Sequence, residues 1–194
     1  MTDLTQQYAE TLWPGQWRIF GLGLRPLSLG HALLLRRLNL SDEDYNEMLQ
    51  AIWLCHHDWR DAARIAFRPL SMRGRLWVYR HLIWTYLKPD EALAEGVAWN
   101  HYLTESWSIP KLRSTERHNE SKAPDLLQIK VTLQAELGYS HQEAMDLPVS
   151  QAIWECAAHS ERNGGCAFVT EYDETLESLA ERMKSGDLMP NGDN

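Results

Sequence analysis

Several groups of residues have the types and spacing that chemistry uses. Cys156 and His159 stand at i, i+3 on one predicted helix and Cys166 follows soon after. Two ligands would face one way and a third could swing in, as a tetrahedral zinc site requires, but a fourth is missing unless His141 returns. Cys156 also belongs to an apolar face, where a free cysteine behaves as a small hydrophobe, so no metal is expected. Cys55-His56-His57 sets a thiol beside two imidazoles. Adjacent helical residues diverge by about 100°, so these cannot pair as nucleophile and base, and histidines closing a helix answer to its C-terminal dipole. His31 lies among apolar neighbours, and a buried imidazole must hydrogen-bond or titrate; we read it as a satisfied core histidine. The glycines of Gly21-Leu22-Gly23 lack the third glycine of a dinucleotide site and read as a packed turn. The carboxylates of Asp42, Glu43 and Asp44, and of Glu171, Asp173 and Glu174, sit at predicted helix starts, where the dipole accounts for them. No catalytic residue and no cofactor emerge.

The elements that would position these groups are helical. Gly21 to Leu38 organises them: Pro26 forbids helix just before it, Ser28 is a good N-cap, and a helix should start near Leu29. Leu33, Leu34, Leu35 and Leu38 cover more than one face, as on a central post enclosed by its neighbours. Arg25 is expected to reach an acidic partner or a carbonyl where two lobes join. Downstream, Ser41 should cap a helix whose face is Tyr45, Met48, Leu49, Ile52 and Trp53, and Asp58 a helix through Trp59, Ala62, Ala63, Ala66 and Phe67. Ser71 should cap a third, with Leu76, Tyr79, Ile83, Trp84 and Leu87 on its face. Pro89 should open a fourth, carrying Leu93, Val97, Trp99, Tyr102 and Leu103 and fading near Trp107.

Residues 109–123 lack apolar periodicity and read as a linker or surface loop. Beyond them Leu126, Ile129, Leu133 and Leu137 line one helix closed by Gly138, and Ser140 with Glu143 makes a capping box. After Pro148 a face of small residues runs from Val149 to Ser160 and ends near Gly164, with Trp154 off the stripe, packed on a second neighbour or displayed. Thr170 should cap a last helix through Tyr172, Leu176, Leu179, Ala180 and Met183. The fold class is therefore all-α: a multi-helix bundle in two small lobes with at most one short strand or hairpin, near Trp17–Leu24 or Cys166–Val169. The expected organisation is a Trp-rich N-terminal lobe (1–108), a linker (109–123), a C-terminal lobe (124–184) and a disordered tail (185–194). Arg25, Pro26, Ser28, His31, Pro148 and Gly164 are the expected structural positions.

Composition narrows the function classes. The 194 residues hold 19 Lys and Arg against 27 Asp and Glu, a net charge of -8 that argues against neutralising phosphates, so no nucleic acid is expected. Three cysteines form no disulfide framework and suit a reducing compartment. MTDLTQQYAE has no signal-peptide pattern, and no run approaches the ~20 apolar residues of a membrane span, so a cytoplasmic protein without membrane contact is expected. Nine tryptophans are a surplus, and a partly exposed one often marks where another molecule sits.

LRPLSLGHALLLRRL, the Trp-rich WLCHHDWRDA and the later LGYSHQEAMDLPVSQAIWECAAHSERNGG together resemble small helical proteins of bacteriophage and prophage tail modules. The closing pattern, a capped short helix, Leu147-Pro148, then Ala152, Trp154, Ala157 and Glu161 before Gly164, is similar to that of tail assembly chaperones. The resemblance implies a non-enzymatic assembly factor in the host cytoplasm that binds amphipathic helices of a tape-measure-type protein and is absent from the finished particle. Such binding needs an apolar helical groove on a charged body. Trp99, Tyr102, Trp107 and Trp154, each off or at the end of its apolar stripe, are the expected partner-binding aromatics, with a place in the core as the competing assignment. Two other classes stay open: a structural tail or head-tail junction component that self-associates, and an enzyme whose site combines His31, Arg25 and a distant carboxylate at the lobe interface.

Overall fold

The computed structural model describes residues 4–12, 15–38, 44–68, 70–114 and 123–170, with Asp173, Thr175, Leu176, Ser178 and Glu181. In chain order the elements are α1 (Leu4–Leu12), β1 (Trp17–Ile19), β2 (Leu22–Leu24), α2 (Leu29–Leu38), α3 (Tyr45–His56), α4 (Trp59–Ala66), α5 (Met72–Leu87), α6 (Pro89–Ser106), β3 (Leu112–Ser114), α7 (Asp125–Ala135), α8 (His141–Asp146), α9 (Val149–Arg162) and β4 (Cys166–Phe168). The class is all-α; strands among the described residues are confined to two antiparallel pairs, β1–β2 and β3–β4.

Helix α2 starts where its sequence dictates. The Ser28 carbonyl accepts from the Ala32 amide at 3.0 Å and its hydroxyl from the His31 amide at 3.4 Å. Leu29, Gly30, His31, Ala32 and Leu34 are buried, and α3, α4, α7, α8 and α9 all pack on this helix. Gly30 is required by that crowding: a Cβ there would stand 2.6 Å from Cγ and 3.0 Å from Cβ of Trp59, against the root of the side chain and not its flexible end.

The β1–β2 hairpin turns at Phe20 (φ 47) and Gly21 (φ 77). A left-handed conformation at a bulky residue is costly, and packing holds it here. The Phe20 ring is buried among Trp77, His81 and Trp84, and its amide donates to Oε2 of Glu95 at 2.8 Å.

Capping follows side-chain chemistry at most helix starts. Asp58 caps α4 through the Arg60 and Asp61 amides, Ser71 caps α5 through the Gly74 amide, and Ser140 with Glu143 forms the expected box at α8. For α3 the cap is Asp44, which accepts from the Asn46 amide; the expected cap, Ser41, lies outside the described residues. Thr170 exchanges hydrogen bonds with Asp173 as a cap would, but Tyr172, Leu179, Ala180 and Met183 of the helix expected after it, and the expected tail, lie outside the described residues.

One expectation is corrected. Residues 112–114, read as linker, form β3, which pairs with β4 in the register Leu112↔Phe168. Ladder hydrogen bonds, not apolar periodicity, hold so short a strand. The lobes expected on either side of residues 109–123 also share one core: Leu29, Leu49, Ile52 and Trp99 belong to the same buried cluster as Leu126, Leu133, Val149 and Ala152. The junction is a backbone exchange, in which the Leu29 amide donates to Leu147 O at 2.8 Å and the Val149 amide to Leu27 O at 2.9 Å. Ser28 and Pro148 face each other across it.

Candidate functional site

Structural positions singled out from sequence converge at this junction. Ser28 Oγ lies 2.9 Å from Nδ1 of His31, whose Nε2 lies 3.0 Å from the His57 carbonyl. A carbonyl only accepts, so Nε2 carries the proton and Nδ1 accepts from the serine hydroxyl. The pair has the outline of a nucleophile and its base, but both side chains are buried, and the hydroxyl also serves as the α2 cap. Burial holds the His31 pKa below the usual histidine range. Arg25, expected to reach an acidic partner or a carbonyl, contributes here through its main chain: its amide donates to Cys55 O and its carbonyl accepts from the Tyr102 hydroxyl at 2.9 Å. Pro26 borders an adjoining cleft, and Gly164 (φ 78) closes α9.

The sulfur and imidazole groups stay apart. Cys156 Sγ points to Ile129 O, Cys166 Sγ to Ala157 O, and His159 Nε2 contacts the Asn163 amide group at 2.9 Å. Among the described residues no three of the His, Cys, Asp and Glu side chains are disposed to hold a metal ion. Burial pushes the Cys55 thiol up to about 12 and the Cys156 thiol up to about 11, so neither is a ready thiolate. His56 Nδ1 reaches Gly23 O at 2.8 Å, which ties α3 to the hairpin. The cleft beside Pro26 encloses about 460 Å³ between Glu10, Trp17, Glu105 and Ser150. Its imidazole, His101, is engaged by Glu105 at 3.3 Å and by the Trp17 ring.

Three of the four aromatics expected at a binding face are core residues. Trp99 and Tyr102 are 1% exposed and stacked on each other at 5.2 Å, and Trp154 is buried between Tyr8 and Phe168. Trp107 is half-buried against the same core. The stripe on α6 explains the first two. Its buried face is Ala92, Trp99 and Tyr102, whereas Leu93 and Val97 point to water.

The apolar surface left in water is on α5. Its inner face is Gly74, Val78 and His81 with Trp77 and Trp84, set against Trp53 and Phe20; the close approach is made at Gly74, where a Cβ would lie 3.1 Å from the Trp53 ring. The outer face carries Met72, Leu76, Tyr79, Ile83 and Tyr86, with exposures running from 45% at Ile83 to 87% at Tyr86. Leu76, Tyr79, Ile83 and Leu87 belong to the face that the sequence reading gave this helix; Trp84, expected with them, lies on the inner side. An open groove of about 640 Å³ runs beside Leu76 and Tyr79, edged by Asn46, Leu70 and Arg75. Sequence reasoning named part of this face but not its exposure, because α5 is apolar on both sides; the 4-3-4-3 spacing of its outer residues, Met72 and Tyr86 included, was the available signal. Compared with protein-family models, curated proteins and solved structures, the chain matches none.

Proposed function

We propose that this protein is a non-enzymatic helix-binding assembly factor of a phage or prophage tail module, which shields amphipathic helices of a tape-measure-type protein until the tail tube forms. The observation that carries the reading is the outer face of α5. Five large apolar side chains at 4-3-4-3 spacing stand in water over about four helical turns, the arrangement that takes the i, i+3, i+4, i+7 anchors of a partner helix. Scattered single hydrophobes need no explanation, but a contiguous stripe marks an interaction surface. The buried state of Cys55 and of the Ser28–His31 pair supports binding over chemistry.

Co-expression with the tape-measure-type protein of the same tail module tests this. The partner should stay soluble with the unaltered chain and precipitate with a Leu76→Ser, Ile83→Ser double variant that melts at the same temperature. Equal solubility with both would sink the reading, and recovery of the chain alone as closed rings would turn it towards a structural tail component.

A further inference from the structure

Resting on that reading of α5, we propose that the partner is an acidic amphipathic helix, with apolar residues at 4-3 spacing and Asp or Glu on both shoulders. At 100° per residue, Arg75 borders the α5 stripe on one side and Arg73 and Arg80 border it on the other. These are the positions that flank the apolar seam of a coiled coil, where charge selects the partner. All three are exposed. Among the described residues Arg73 and Arg75 have no ion-pair partner and Arg80 contacts only the His81 ring, at 3.5 Å, whereas Lys88 is held by Glu91 and Arg64 by Asp61.

The charge is segregated in the chain as well. Between Ala62 and Pro89 there are six cations and no carboxylate, so the other 13 of the 19 cations share the remaining chain with all 27 carboxylates. A cationic seam on an acidic body selects its occupant in two ways. A second copy docked α5 to α5 would set the arginines of one chain against those of the other, and like charges at flanking positions disfavour that pairing. A broad anionic surface such as a bilayer would meet the acidic body along with the seam, whereas a single helix lies within the stripe and meets only the arginines.

The full chain is titrated with two fluorescent synthetic helices that share leucines at 4-3 spacing and differ in having Glu or Lys at the flanking positions. Vesicles of phosphatidylserine and phosphatidylcholine serve as the lipid probe. The Glu-flanked helix should bind about tenfold more tightly than the Lys-flanked one, lose affinity as salt rises, and lose its advantage in a charge-reversed R73E/R75E/R80E variant. Equal affinity for the two helices, with both lost in the Leu76→Ser, Ile83→Ser variant, would overturn the acidic preference and leave helix binding standing. Binding of neither helix would overturn both. Vesicle binding without peptide binding, or a dimer of the chain dissolved by Leu76→Ser, would assign the face to lipid or to a second copy and overturn the proposal.

Discussion

At Ser28 and His31 a hydroxyl meets an imidazole in the way an active site would arrange them, and burial turns the pair into a lock between α2 and the His57 carbonyl. The lock has a pH signature. Burial lowers the His31 pKa, and the same cause lowers those of His57 and His81. The unfolded chain takes up protons near the ordinary histidine value of about 6.5 while the folded chain takes them up only at lower pH, so stability is complete above the unfolded value and falls as pH drops through it. The melting temperature should therefore decline from about pH 7 to about pH 5, and His31→Gln, whose amide can still donate to His57 O, should flatten part of that slope. A melting temperature that is constant or rises over this range would refute the lock. The lock was half legible in the sequence. Ser28 as a cap and His31 as a satisfied core histidine follow from local spacing, but the carbonyl that satisfies His31 comes from a residue 26 positions away, which no local pattern encodes.

Among the elements, α5 shows where periodicity stops informing. On α3 the predicted apolar face holds, and its Met48, Leu49 and Ile52 are buried as their spacing requires. α5 offers two faces, and what decides between them is tertiary: Gly74 lets the helix approach Trp53, and Trp77, His81 and Trp84 close around Phe20. The aromatic face goes in and the aliphatic 4-3 stripe is left out. Stability should rank the faces in the same order. Trp99→Ala, in the core that α6 shares with its neighbours, should cost about 3–5 kcal/mol, whereas Leu76→Ser on the outer face of α5 should stay within about 0.5 kcal/mol of the unaltered chain. Denaturant titrations give both values, and a large loss from Leu76→Ser would mean that the outer face is covered within the folded molecule. The same logic corrects the choice of binding aromatics. Position at the edge of a stripe did not expose Trp99, Tyr102 or Trp154: Trp99 and Tyr102 stack on each other within the shared core, and Trp154 packs between α1 and β4.

For the whole molecule, helical periodicity predicted the all-α class, but the division into two lobes rested on a stretch without apolar periodicity, and such a stretch says nothing about what packs across it. Residues 27–29 and 147–149 exchange backbone hydrogen bonds, β3 pairs with β4, and α2 touches α7, α8 and α9. Cutting the chain at residues 109–123 would strip both kinds of contact at once: Leu126, Leu133, Val149 and Ala152 would lose the core they share with Leu29 and Trp99, and the 27–29 and 147–149 segments would lose their backbone partners. A piece that cannot bury its apolar face has no cooperative transition of its own. The full chain should therefore melt once, with circular dichroism and tryptophan fluorescence coincident, and fragments 1–108 and 124–184 made separately should show no cooperative melt until they are combined. Two separate transitions, or a fragment that melts sharply alone, would establish the two lobes as independent units. It would also free the α5 face to move relative to the C-terminal helices, which a single core does not allow.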